Sequence, residues 1–89
     1  MSESHEDRLK RLRMRSMRRG IKEMDILLSR FADAELATLS EAELTTYDAL
    51  LWENDQDLLV WVTGQQAAPA QYHPLIARIM AGPAAAGGG

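Results

Sequence analysis

Residues 39–51 read Leu39-Ser40-Glu41-Ala42-Glu43-Leu44-Thr45-Thr46-Tyr47-Asp48-Ala49-Leu50-Leu51, and this stretch decides the fold class. Ser40 and Glu43 stand in the S-x-x-E spacing of a capping box. In that motif the serine hydroxyl accepts from the Glu43 amide and the Glu43 carboxylate returns to the serine amide. Leu39 before the cap and Leu44 in the first turn suit a hydrophobic staple. Leu44, Tyr47, Leu50 and Leu51 then recur at the spacing of a helix that buries one face.

The same period extends to both sides. Upstream, Met24, Leu27, Leu28 and Phe31 fall at i, i+3, i+4 and i+7, a core-facing stripe. Further back, Ser4 and Asp7 take capping-box positions ahead of a basic helix running to about Arg18, with Leu9, Leu12 and Met17 as a thin apolar stripe. Residues 33–40 loosen into a connection anchored by Leu36 and Leu39. Downstream, Asn54 and Asp55 suit the cap of a fourth helix carrying Leu58, Leu59, Trp61 and Val62, and Gly64 suits its left-handed end. Trp61 is expected to anchor the core. Pro74 fits the first turn of a last helix with Leu75, Ile76, Ile79 and Met80, closed by Gly82 and Pro83. The expected fold is therefore all-α: a small single-domain bundle of four to five short helices over residues 1–82, with a disordered tail over 83–89.

Composition removes most chemistry. A chain of 89 residues holds one modest core and no deep cofactor cavity. There is no cysteine, so disulfides, thiolate metal sites and cysteine nucleophiles are excluded. His5 and His73 are the only histidines, too few for a histidine metal cage. His73, beside Pro74, reads as a cap or surface residue. Asp55 and Asp57 alternate like calcium-loop ligands, but the loop glycine and the twelfth-position glutamate are missing. No nucleophile–base pair or metal set is evident, so the chain is not expected to be an enzyme.

The net charge of -3 conceals a division. Residues 1–22 carry eight basic groups against three acids, and residues 23–89 carry two against ten. Such a split marks a surface for a partner of opposite sign. The longest apolar stretches fall far short of the ~20 residues a membrane span needs, so no membrane insertion is expected. The start of the chain lacks a secretory apolar region, and Glu3, Glu6 and Asp7 argue against a transit peptide. A cytoplasmic location is expected for a bacterial chain, and the mitochondrial matrix for a eukaryotic one.

Two places could carry function. The first is Arg18-Arg19-Gly20-Ile21-Lys22-Glu23. Its plain reading is a solvated basic face with a glycine separating two helices. Its sharper reading starts from Gly20, which permits backbone angles or a close approach denied to other residues. With Gly20 as the N-cap, Glu23 sits in the first turn, and Arg19, four residues before it, can pair with it. That pair would present a guanidinium fork to a partner's carboxylate or phosphate. The second place is the acidic turn Trp52-Glu53-Asn54-Asp55-Gln56-Asp57, whose plain reading is an interhelix turn with capping acids.

Arg19-Gly20-x-x-Glu23, followed by Ile26-Leu27-Leu28 and Phe31, resembles the Arg-Gly-x-x-Glu signature of the succinate dehydrogenase flavinylation factors, the SdhE family. Leu39-Ser40, Tyr47-Asp48, Leu50-Leu51, Glu53, Asp55, Asp57-Leu58 and Trp61 follow that family's downstream pattern, so the resemblance spans about residues 8–80. Trp52 departs from it, standing where an aliphatic or polar residue is expected. The resemblance implies a non-catalytic helical chaperone that binds the flavoprotein subunit of succinate dehydrogenase, and in some bacteria of fumarate reductase. It would promote covalent attachment of FAD to that subunit, and the FAD would belong to the partner. It implies partner contacts at Arg19, Gly20 and Glu23; Arg18, Asp55 and Asp57 are expected to be partner-binding with them, and the chain is expected to be monomeric when free. The rival reading is a nucleic-acid-binding protein that uses the basic first helix against phosphates. Against it stand the acidic balance, with a sequence pI near 5.3, and the lack of a helix-turn-helix pattern.

Overall fold

The computed structural model describes residues 3–86, with side chains through residue 81. Five α-helices follow one another: α1 His5–Arg15, α2 Lys22–Glu35, α3 Glu41–Leu51, α4 Asp55–Val62 and α5 His73–Ala86. Short 3-10 turns at Leu36–Thr38 and Ala70–Tyr72 join α2 to α3 and α4 to α5. The all-helical bundle read from the apolar periods is the observed architecture.

The caps explain most of the helix starts. Ser4 Oγ accepts the Asp7 amide at 3.1 Å. Ser40 forms the full reciprocal box, accepting the Glu43 amide at 3.1 Å while its own amide donates to Glu43 Oε1 at 2.8 Å. Asn54 Oδ1 accepts the Gln56 amide at 2.8 Å, and Gly64 closes α4 with φ 79°. Each such cap contributes on the order of 1 kcal/mol, and short helices depend on them.

α2 is the central element, packing against α1, α4, α5 and the 3-10 turn that follows it. Met24, Leu28 and Phe31 from α2 meet Leu12 of α1, Leu36, and Leu44, Tyr47, Leu50 and Leu51 of α3. Leu58 and Val62 of α4 and Leu75, Ile76 and Ile79 of α5 close the core. Phe31 and Tyr47 are the largest fully buried side chains, their ring centroids 5.4 Å apart.

Several expectations are corrected. Trp61 is half-buried and tilts against Tyr72 at 5.9 Å, so it borders the core rather than anchoring it. Met17, which lies beyond the end of α1, and Met80 on α5 are exposed. The first helix stops at Arg15, not Arg18. Ser16 is buried there, its hydroxyl donating to Leu12 O at 2.8 Å and lying 2.6 Å from Tyr47 Oη. Ser16 is the C-cap, and the chain turns away from the helical path at Arg18, where φ is 57°. α2 extends to Glu35, past the start of the expected connection. α5 runs through Gly82 and Pro83 to Ala86. Ala84–Ala86 are strong helix formers. Of the tail expected over 83–89, residues 87–89 lie outside the described residues.

Candidate functional site

The basic first helix is read against α3 by a ladder of arginines. Arg8 Nη1 donates to Glu41 Oε2 at 3.0 Å and Arg8 Nη2 to Thr45 Oγ1 at 2.8 Å. Arg11 forks onto Asp48 at 2.8 and 3.2 Å while also holding Glu3. Arg15 lies over the Trp52 ring, 3.8 Å from its centroid. Beyond the helix end, Arg19 reaches Asp55 at the start of α4, with Nη2 and Nε 2.8 and 2.9 Å from Oδ1. Arg8, Arg11 and Arg15 are spaced by three or four on α1 and Glu41 and Asp48 by seven on α3, so these rungs stay on facing sides, while Arg19 and Asp55 meet where the chain leaves one helix and enters another. The Arg11 fork holds the Asp48 carboxyl below the ordinary carboxylate range, aided by Arg8 and Arg15. The same two acids, Asp48 first and then Glu3, raise the Arg11 guanidinium further.

The ladder removes the basis of the nucleic-acid reading. Five of the eight basic groups in residues 1–22 are occupied inside the molecule, four by acids and one by an indole. That reading is not supported.

The corner where α1 gives way to α2 is built on Asp55. Its Oδ1 takes the Arg19 guanidinium, and its Oδ2 accepts the Gly20 amide at 2.8 Å. Arg19 Nη1 donates to the carbonyls of Arg15 and Leu51, at 3.0 and 3.1 Å. Its side chain is only 11% exposed. Arg19 therefore pairs with Asp55 rather than Glu23, correcting the expected Arg19–Glu23 fork. Burial explains the choice: a carboxylate enclosed with three donors outcompetes one standing in solvent.

Backbone geometry here also differs from expectation. Ile21, not Gly20, is the N-cap of α2, without a side-chain hydrogen bond. Arg18, not Gly20, takes the left-handed φ, at 57°. A non-glycine residue there costs on the order of 1–2 kcal/mol, and it persists because Arg19 and Gly20 are fixed immediately after it. Gly20 is required by close approach instead. A Cβ on it would stand 3.3 Å from Asp55 Oδ2.

Around this brace Arg18, Gly20 and Glu23 are exposed, Arg19 and Asp55 are half-buried, and Asp57 is exposed in the first turn of α4. Glu23 lies in the first turn of α2, where the helix dipole favours its charge. Arg15, Met17, Arg18, Arg19, Gly20 and Asp55 line an open cleft of about 290 Å³. A second cleft of about 130 Å³ lies between α3 and α5, lined by residues including Thr46 and Leu75. Among the described residues no cluster of His, Asp and Glu is arranged to hold a metal ion. His73 is exposed, with Nε2 2.7 Å from Ala68 O, and His5 pairs with Glu41 at 3.0 Å. No helix is long and apolar enough to cross a membrane among the described residues.

Sequence reasoning missed the ladder, although the seven-residue recurrence of Glu41, Asp48 and Asp55 opposite Arg8, Arg11 and Arg19 was a usable signal. It also missed Arg78 of α5, which bridges Glu35 and Glu43 at 2.6 and 3.1 Å. Buried Tyr72, whose hydroxyl donates to Glu53 at 2.8 Å, carried no periodic signal.

Fold and corner together define a small helical scaffold that exposes a cationic patch braced from within. Residues 10–82 match the model of a family described as the flavinator of succinate dehydrogenase, and the chain belongs to that family. The mitochondrial succinate dehydrogenase assembly factor 2 of Mycosarcoma maydis is 42% identical over 71 residues, covering 80% of this chain and 30% of that protein. Its counterpart in Meyerozyma guilliermondii is 48% identical over 61 residues, covering 68% and 45%. That of Schizosaccharomyces pombe is 40% identical over 70 residues, covering 79% and 50%. The chain spans half or less of the length of these relatives.

Proposed function

We propose that this chain is an assembly factor that docks on the flavoprotein subunit of succinate dehydrogenase, and of fumarate reductase where one is present. In this reading it promotes covalent attachment of FAD to that subunit and supplies no catalytic group of its own. The match to the flavinator family over residues 10–82 carries the reading.

The geometry supports a division of labour within the corner. Arg18, Gly20 and Glu23, all exposed, make the contacts, with Asp57 at the edge. Arg19 and Asp55 act chiefly by holding the loop in one shape, so that little conformational entropy is lost on docking. FAD belongs to the partner, and the linkage forms between the flavin and a histidine there. The assembly factor holds the partner's domains in a competent arrangement, which needs a rigid patch and not a cavity. It acts in the compartment where that flavoprotein folds, which is the mitochondrial matrix for a chain of the kind its fungal relatives represent.

Co-expression with the flavoprotein subunit, with and without this chain, tests the reading by in-gel flavin fluorescence. More covalent flavin with the chain present is expected. Equal fluorescence in both would overturn it.

A further inference from the structure

The arginine ladder has one rung without an anion. Arg8, Arg11 and Arg19 each end on a carboxylate, at Glu41, Asp48 and Asp55. Arg15, between them, ends on Trp52. Among the described residues no carboxylate forms an ion pair with Arg15, and its buried Nε has no hydrogen-bond partner. Its carbonyl accepts from Arg19, which ties the rung to the braced corner. Trp52 is 71% exposed, the most open of the large hydrophobic side chains among the described residues. Met17 is exposed beside Arg15 and Arg18 in the same cleft.

We infer that the Arg15–Trp52 pair, extended by Met17 and Arg18, is a second contact patch for the partner flavoprotein. The partner side would present a carboxylate to Arg15 and an apolar side chain to the indole. The inference rests on the proposed function and extends its surface beyond the Arg-Gly-x-x-Glu residues.

Three features favour this occupant. The patch is continuous with the docking corner, because Arg15 lines the cleft shared by Arg18 and Gly20. Its charge is unbalanced: the one acid in the cleft, Asp55, is already committed to Arg19 and Gly20. A carboxylate is the group that supplies the missing rung with a bidentate geometry. The stacked guanidinium also holds the indole in one orientation before binding, and rigid Trp and Arg side chains are the residues that dominate interface energies. A second copy of this chain fits poorly, since a two-fold contact would bring two copies of the same cationic patch together.

The test uses the full chain with Trp52→Ala, Trp52→Phe and Arg15→Gln, and Glu23→Ala as comparator. Binding to the purified flavoprotein subunit is measured by calorimetry at two salt concentrations, with circular dichroism melts of every variant. Trp52→Ala is expected to bind about tenfold more weakly or worse, with an unchanged melt. Trp52→Phe, which keeps a ring under the guanidinium, should stay within about threefold of the parent. Arg15→Gln should bind more weakly, and its affinity should depend less on salt. If Glu23→Ala weakens binding and Trp52→Ala does not, this inference falls and the proposed function stands. A parent chain that does not bind at all would sink both. Dimers of the parent that Trp52→Ala converts to monomers, with flavoprotein binding unchanged, would assign the patch to self-association and overturn the inference. So would a loss of binding that follows a lowered melt in every variant.

Discussion

Asp55 accepts the Gly20 amide on one carboxylate oxygen and the Arg19 guanidinium on the other, all within 2.8–2.9 Å. One acidic side chain at the start of α4 thereby sets the shape of the turn between α1 and α2, thirty-five residues away in sequence. Removing it leaves Arg19 enclosed without a counter-charge. Asp55→Ala should cost about 2 kcal/mol, because hydrogen bonds to charged groups contribute roughly 1.5–3 kcal/mol each and this pair is only partly buried. The melting temperature should fall by on the order of 10 °C in a domain of this size. Asp55→Asn, which keeps one acceptor, should lose less.

Gly20 is sensitive for the same reason. Its substituent would press on Asp55 Oδ2 at 3.3 Å, a side-chain oxygen that can shift slightly. Gly20→Ala should therefore cost about 1 kcal/mol or less, whereas Gly20→Arg brings a second guanidinium to a carboxylate already shared by two donors. Thermal melts should rank parent, Gly20→Ala, Gly20→Arg. Support of flavinylation should follow the same order, with Gly20→Arg near background.

Glu23 separates docking from stability. It is exposed and makes no hydrogen bond to another described residue, so Glu23→Ala should change stability by less than about 0.5 kcal/mol. Near-native circular dichroism with weaker flavoprotein binding and less covalent FAD is the expected result. Full support of flavinylation by this variant would return Glu23 to the plain role of a helix-start acid.

Tyr47 sets an alkaline limit. Burial pushes its phenol from 10.0 to about 12, opposed by the Ser16 contact and the charge of Arg19. The unfolded chain loses that proton first, so the stability it represents is intact below pH 10 and is lost as pH rises toward 12. Denaturant midpoints should fall across that window. Tyr47→Phe should flatten the fall while costing about 1 kcal/mol at neutral pH, where Ser16 loses a partner.

The acid side depends on the ladder. The Arg11 fork lowers the Asp48 carboxyl, and the Ser40 amide, with Arg78 assisting, lowers that of Glu43. Lowered carboxyls contribute stability at neutral pH that disappears as pH falls through their folded values, below about pH 4. Arg11→Gln should be less stable than the parent at pH 7. The difference should shrink as pH falls below about 4, a trend that urea titrations at stepped pH would follow.

The all-helical class, a bundle of four to five helices and the caps at Ser4, Ser40, Asn54 and Gly64 were legible in the chain because they depend on local facts. A capping box needs residues three apart, and an apolar stripe needs a period of 3.6; both are visible in Ser40-Glu43 and in Met24, Leu28 and Phe31. The Arg-Gly-x-x-Glu resemblance was legible for the same reason, as a short ordered string. Which partner each charged side chain takes was not. Glu23 lies four residues from Arg19 and Asp55 thirty-six, yet Arg19 goes to Asp55, since packing α4 against the α1–α2 turn brings that carboxylate into a half-buried site where an ion pair is stronger. The same packing passed the left-handed φ to Arg18 and left Gly20 needed for clearance. It also turned Trp52 outward over Arg15 and left Trp61 at the edge of the core against Tyr72. Spacing along the chain determines which face of a helix a residue occupies. Only the assembled bundle determines what that face meets.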